Sequence, residues 1–271
     1  MRIITFLMKR YIIILLSILC LGLDAQLYAQ RRNYAKNADL AFGRKQYIEA
    51  ADRYKKAYKK SKRNKAERAR ISYQMGECYR LIGLSKRAEP YYKRVIKTDF
   101  PNTHPEVYLH LAETYKTNQK FKDAIECYEN YVRMVPNDPR GPLGIETTNM
   151  IQEWMDNPSR YELTELKKVN SKNSDFGAFW TSNNYNEILF TSSRKGATGG
   201  EKEAITGQDF TDFWTSKQDR KGAWSTPVLA DENENINTDD SDGVGFMNAN
   251  YSKMYFTRCQ AGEHRKNGCQ I

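Results

Sequence analysis

"YLHLAETYKTNQKFKDAIECYENYVRMVP", from Tyr108 to Pro136, spaces small and aromatic residues at helical intervals. Tyr108, Leu111, Ala112 and Tyr115 fall on one helical face, and Phe121, Ala124, Tyr128 and Tyr131 on another. The stretch therefore reads as a pair of helices closed by Pro136. Two earlier segments align with it. The first has Tyr34, Ala38, Ala41, Tyr47, Ala50, Tyr54 and Ala57; the second has Gly76, Tyr79, Ala88 and Tyr92. The landmarks Ala38, Gly76 and Ala112 are followed after twelve residues by Ala50, Ala88 and Ala124, and after sixteen by Tyr54, Tyr92 and Tyr128. A fixed internal period of this length signals a stacked repeat architecture.

The pattern over Tyr34–Pro136 resembles the tetratricopeptide repeat. Helix pairs of that family need small residues where backbones approach and aromatics that fill the space beside them. The copies here are 38 and then 36 residues apart, against 34 in the family. The surplus falls in "SKRNKAER" and "DFPNTHPE", where turns belong, so it adds loop entropy and leaves the helix pairing intact. "GIETTNMIQEWMD", from Gly144 to Asp156, then reads as the capping helix that tandem repeats require. The resemblance implies a partner-binding concave face at Asp39 in the first copy, Tyr73, Glu77 and Arg80 in the second, and Glu113 and Lys116 in the third. An acid recurs at the middle position of all three copies, and ordinary solvated helix surface is the competing reading.

After Pro158 the period drops to two. "YELTELKKV", "DFGAFWTS" and "NEILFTSS" read as strands with Asn-rich turns between them. "DFGAFWTSNNYNEILFTSSR" (Asp175 to Arg194) aligns without gaps to "SDGVGFMNANYSKMYFTRCQ" (Ser241 to Gln260), an offset of 66 residues. Gly177/Gly243, Asn184/Asn250, Tyr185/Tyr251, Phe190/Phe256 and Thr191/Thr257 are identical in that alignment, and Trp180 meets Phe246. Two further strands, joined by a turn near Gly222, are expected between them. This half resembles the TolB-type, WD40-like β-propeller repeat, and "KGATGGEKEAITGQD" accounts for a spacing longer than the usual blade of about 40–45 residues. One blade and part of a second cannot close a ring. The chain is therefore expected to be the front part of a longer polypeptide, cut within a hairpin after "MYFTR". The predicted fold is α then β and multidomain: a signal peptide at 1–29, a tetratricopeptide α-solenoid with its cap at 31–157, and an incomplete WD40-like β-propeller of one to two blades at 158–271.

At the N-terminus, Arg2, Lys9 and Arg10 precede the uncharged run "YIIILLSILCLGL". As a helix it would span roughly 20 Å, short of the roughly 30 Å hydrocarbon core, so it reads as a signal-peptide core cleaved after Ala29. Cys20 offers a rival lipoprotein reading, against which Leu19 stands where a small residue is expected. Export permits disulfides. Cys259 and Cys269 flank the polar loop "QAGEHRKNG", and a bridge there would contribute about 2.5–3 kcal/mol by chain entropy. A zinc site is disfavoured, because His264 is the only histidine in that loop and no second Cys or His pair completes four ligands. Cys78 and Cys127 lie in helical patterns and read as small buried hydrophobes.

The formal charge of +10 is unevenly spread. Arg53 to Arg70 holds ten Lys and Arg against one Glu, whereas Asp231 to Asp242 holds six acids and no base. The basic helix could attract nucleic acid, which export argues against; solvated helix surface and attraction to anionic envelope material remain. No catalytic, cofactor or metal constellation is recognisable. His104, His110 and His264 do not form HExxH, and there is no G-x-S-x-G elbow. "GATGGEKE" lacks the Gly before Lys202 and the following Ser or Thr of a phosphate loop. "DENENINTDDSDG" departs from the EF-hand pattern at Thr238 and at the terminal glutamate.

The order of signal peptide, tetratricopeptide repeats and propeller is similar to a Bacteroidetes family of cell-envelope proteins that continue into an OmpA-like peptidoglycan-binding domain. One branch of it belongs to the type IX secretion and gliding apparatus. "GAWSTPVLADENENINTDDSDG" and the paired cysteines after "MYFTR" are the strongest local hints. The resemblance implies a non-enzymatic scaffold, exported to the periplasm and associated with the outer membrane. Its partners would be envelope proteins, with peptidoglycan reached only through a domain outside these residues. The alternative is a fragment of a propeller-containing exported hydrolase.

Overall fold

The computed structural model describes residues 34–200, 202–230, 236–260 and 269–271. The signal-peptide segment 1–29 and Cys20 lie outside them. The chain divides into two units, Met1–Pro158 and Ser159–Ile271. Among the described residues no helix is long and apolar enough to cross a membrane.

The first unit is a run of antiparallel helix pairs: α1 (residues 34–43) with α2 (Tyr47–Lys60), α3 (Lys65–Leu81) with α4 (Ser85–Val95), and α5 (Glu106–Thr117) with α6 (Phe121–Met134). A final helix, α7 (Arg140–Asp156), packs on α6. Each pair turns on a residue with positive φ, at Lys45 (61°), Gly83 (75°) and Gln119 (60°). All three stand seven residues after the landmark small residue, so one backbone solution is reused with and without glycine. Asn64 caps α3 by accepting from the Glu67 N–H at 2.9 Å.

The small and aromatic landmarks form the core. Ala38, Ala50, Ala88, Ala112 and Ala124 are inaccessible, and Tyr54, Tyr92 and Tyr128 are buried. A Cβ on Gly76 would stand 2.7 Å from the Tyr92 ring, so the ring occupies the space that a side chain would need. Gly144 meets the ring of Tyr128 in the same way. The capping helix starts at Arg140, four residues before the point the apolar pattern predicts, and Gly141 in its first turn lies against Val132.

The second unit holds a four-stranded antiparallel meander, β1 (Asp175–Trp180), β2 (Glu187–Ser192), β3 (Asp212–Lys217) and β4 (Val228–Leu229). A three-stranded sheet follows, β5 (Ser241–Met247), β6 (Met254–Cys259) and β7 (Cys269–Gln270). Cys259 and Cys269 are opposite each other in the β6–β7 register and form a disulfide, S–S 2.08 Å. The turn expected near Gly222 is there, with φ of 81°. The strand expected at "YELTELKKV" is not. Tyr161 and Leu163 are 71% and 96% exposed, and that segment pairs with no described strand. Alternation makes a strand only where a sheet edge accepts it.

The two sheets are joined through polar backbone contacts and a small aromatic cluster. Asn237 accepts from Phe213 N at 2.7 Å and donates to Phe213 O at 3.1 Å; Val244 N donates to Thr191 Oγ1 at 2.8 Å. Phe213 meets Phe179 and Phe256 edge-on.

The internal repeat is present, with a one-residue correction. Equivalent positions in β1 and β5 are 67 apart: Ser171/Thr238 and Asp175/Asp242 share an N–H-to-carboxylate bond, and Gly177/Val244 share positive φ. From the hairpin turn onward the offset is 66, with Tyr185/Tyr251 both at positive φ. Thus Phe179, not Trp180, corresponds to Phe246, and Gly177 does not correspond to Gly243. The β1–β2 turn is one residue longer, which a gapless alignment cannot represent. Asp175 pairs with Arg194 and Asp242 with Arg258, and the two arginines donate to equivalent carbonyls, Val169 O and Ile236 O. The arginines come from non-equivalent positions on or just after β2 and β6, so the pair recurs by convergence of side chains on one carboxylate.

Candidate functional site

The six residues expected on the partner face lie on α1, α3 and α5, the first helix of each pair. Successive first helices bring them into one polar stripe, which is cross-linked from end to end. Asp39 accepts from the Tyr54 hydroxyl at 2.6 Å and from Arg70 at 2.9 Å. Glu77 accepts from the Tyr92 hydroxyl and from two Arg80 nitrogens at 2.7 and 3.2 Å, and His110 Nδ1 lies 2.7 Å away. Arg80 also reaches Glu113 at 3.7 Å, and Lys116 donates to Thr147 on α7 at 3.2 Å.

Two of the six are interior groups. Tyr73 is 8% exposed and stacks on His110, and Glu77 is 7% exposed. They are enclosed because α5 supplies His110 and the 3-10 turn Phe100–Asn102 supplies Phe100, which lies 5.3 Å from Tyr73 ring to ring. Asp39, Arg80, Glu113 and Lys116 keep side-chain surface. The recurrent acid therefore has a packing role in the first two copies: it receives the hydroxyl of the tyrosine fifteen residues later.

The electrostatics follow from this enclosure. Burial alone would raise the Glu77 carboxyl; hydrogen bonds from His110 and Arg80 outweigh it and hold the group at about 2. Burial, then the adjacent Glu77 carboxylate, pushes the Tyr92 phenol far above its ordinary range. Cys78 and Cys127 are buried thiols, each pushed up to about 12 chiefly by desolvation, and are suited to packing rather than reaction. Among the described residues no group of three His, Cys, Asp or Glu could hold a metal ion.

Arg70, His110 and Thr147 belong to the stripe and are missing from the sequence expectation. Arg70 precedes Tyr73 by three residues and His110 precedes Glu113 by three, so helical spacing was a usable signal for both. Thr147 had none, because its place depends on how α7 packs.

The helical unit is thus a tandem array of antiparallel helix pairs with a shared polar stripe. Residues 69–102 and 105–138 each match the tetratricopeptide repeat family model, so the second and third copies are tetratricopeptide repeats. The chain is similar to the Sgt2 TPR domain from Aspergillus fumigatus, at 17% identity and a TM-score of 0.38, over 53% of this chain and 92% of that one. It is also similar to Pseudomonas aeruginosa pilF, at 19% identity and a TM-score of 0.38, over 46% of this chain and 55% of that one. No curated protein matches.

Proposed function

We propose that this protein is a non-enzymatic, exported scaffold of the cell envelope that holds protein partners on its repeat surfaces. The observation that carries the reading is the ordered stripe on α1, α3 and α5, in which Arg80, Glu113 and Lys116 keep accessible polar groups on a rigid base. Tetratricopeptide repeats suggest an adaptor role in protein–protein interaction, and a rigid concave helical surface suits an extended partner segment.

The strand unit is the beginning of a WD40-like β-propeller, each sheet being one blade and Asn237 the clasp between neighbours. In support of this, β1–β4 form a meander of blade size, and the Ser/Thr-to-Asp turn recurs at the start of the next sheet. Export, the periplasmic and outer-membrane setting, an OmpA-like continuation that binds peptidoglycan, and a place in type IX secretion belong to the same proposal. They rest on the leader-like N-terminus and on the resemblance of the whole order.

The test is site-specific photo-crosslinking in the native cell, with the photoreactive residue at Lys116 and, as control, at Lys122 on the outer side of α6. A partner crosslinked from Lys116 and not from Lys122, in a periplasmic fraction, supports the reading. Equal labelling from both positions, or a cytoplasmic protein, overturns it.

A further inference from the structure

We infer that a second docking surface lies where the end of α2 meets the start of α3 and the end of α4, bordering the stripe at Arg70, and that it takes an acidic peptide segment of a protein partner. The inference rests on the adaptor reading and adds to it the chemistry of the partner and a place to bind it.

The polar stripe on the first helices has its charges satisfied internally: Asp39 by Arg70, Glu77 and Glu113 by Arg80. The segment as a whole is different: between Arg53 and Lys97 the chain has sixteen Lys and Arg, Arg70 and Arg80 of the stripe among them, against three acids, Glu67, Glu77 and Glu89. Each of those acids is already engaged, by Arg70, by Arg80 and by Lys120 at 2.6 Å. Some of the remaining cations line two clefts. One, of about 910 Å³, is lined by Tyr58, Lys65, Arg68, Arg94, Lys97 and Phe100 among others. The next, of about 650 Å³, shares Arg94 and Lys97 and adds Lys86, together with Glu89 and the two lysines that engage it, Lys93 at 3.9 Å and Lys120. The shared residues make the two clefts neighbours on one basic surface.

Within it the two guanidinium groups are positioned by an aromatic ring. Arg68 lies 4.0 Å and Arg94 5.2 Å from the Tyr58 ring centre, and Arg94 is also 5.6 Å from Tyr91. Among the described residues no carboxylate is within 4.0 Å of either guanidinium, and Asp99, which lines the same cleft, pairs with neither. Stacking on tyrosine holds an arginine in place while leaving donors of its planar fork available for a carboxylate; one Arg94 nitrogen, Nη1, also donates to Ser72 Oγ at 3.5 Å. Two such forks, a flanking row of lysines and an apolar floor of Tyr58 and Phe100 suit a peptide that alternates acids with apolar side chains. A flat anionic membrane would touch the lysine rim and leave the concave floor unused, so the cleft shape favours the peptide.

The experiment is fluorescence anisotropy of the full chain with a fluorescein-labelled peptide of alternating glutamate and alanine, and its counterpart with glutamine in place of glutamate. The glutamate peptide should bind, the glutamine peptide should not, and affinity should fall steeply with added salt. Arg68→Gln with Arg94→Gln should weaken binding by about tenfold or more, whereas Lys122→Gln leaves it unchanged. Lys86→Gln with Lys93→Gln and Lys97→Gln, three exposed side chains, provides a second variant set with the same expected direction should the arginine pair disturb folding. Equal binding by all variants, equal binding of both peptides, or capture by phosphatidylglycerol vesicles with no peptide binding would each overturn the proposal. If peptide binding fails while crosslinks from Lys116 persist, this site falls and the adaptor reading stands. If peptide binding persists and those crosslinks are lost, the site stands without the inner stripe.

Discussion

The helical and strand units are both built from internal repeats, but they complete those repeats by different means. In the helical unit each landmark residue packs against a residue a dozen or so positions away, as Gly76 does with Tyr92. In the strand unit the decisive contacts are longer: Thr191 with Val244 is 53 residues apart, and Asn237 with Phe213 is 24. The small-residue and ring contacts thus close within a helix pair, although its polar side chains reach the next pair, as Tyr73 and Glu77 reach His110, whereas a sheet depends on the next sheet for its core contacts. Segments without such a neighbour stay unpaired, as Leu163 does.

The sharpest way to break this comparison is to remove one buried ring from each unit. Tyr92→Ala and Phe213→Ala should each cost about 3–5 kcal/mol in urea unfolding. Hydrogen exchange should show the Tyr92 variant opening α3–α6 locally, and the Phe213 variant opening both sheets together. Confinement of the Phe213 effect to β3 would contradict the dependence of one sheet on the other.

Glu77 tests whether the recurrent acid is structural. Its folded carboxyl sits at about 2, below the ordinary 4.5. The stabilisation it supplies is therefore fully present above about 4.5 and is lost as pH falls through about 2. Glu77→Gln should remove roughly 2–3 kcal/mol of the helical unit's pH-dependent stability over that window, measured by urea midpoints at several pH values. An unchanged acid transition would place the group outside the core network.

Gly243→Ala addresses the sheet interface. A Cβ there would stand 2.4 Å from Thr191 Cγ2, and the substitution should cost about 1–3 kcal/mol by thermal melting. A neutral result would mean that the two sheets separate readily. The smallest effect concerns the turns. Gln119→Gly should stabilise the helical unit by up to about 1 kcal/mol by relieving a left-handed side chain, partly offset by backbone entropy. A loss of stability would show that the Gln119 side chain contributes more than its backbone strain.

The helix pairs were legible because their signal is local. Ala38, Gly76 and Ala112 with Tyr54, Tyr92 and Tyr128 state both the period and the contact, since a large ring beside a missing Cβ is a complementarity that residue types alone express. The strand repeat was legible to within one residue. Its alignment failed in β1 because the extra residue of the Trp180–Glu187 turn has no compositional mark, while the Gly177/Val244 correspondence is one of backbone angle. The strand expected at Tyr161 failed because alternation describes a face and says nothing about whether a partner edge is present.

The candidate stripe divides in the same way. Its presence on three successive helices was readable from spacing; the burial of Tyr73 and Glu77 was not, because His110 and Phe100 arrive from other elements. The Arg68–Tyr58–Arg94 stack is likewise invisible in a list of basic residues. By itself, then, the sequence determined the helix pairs, the repeat periods and the uneven charge, all of which are encoded over short separations. Only the tertiary structure decided which acids are neutralised, which arginines among the described residues have no carboxylate beside them and which sheet rests on which, because those outcomes depend on side chains meeting across elements that sequence spacing does not relate.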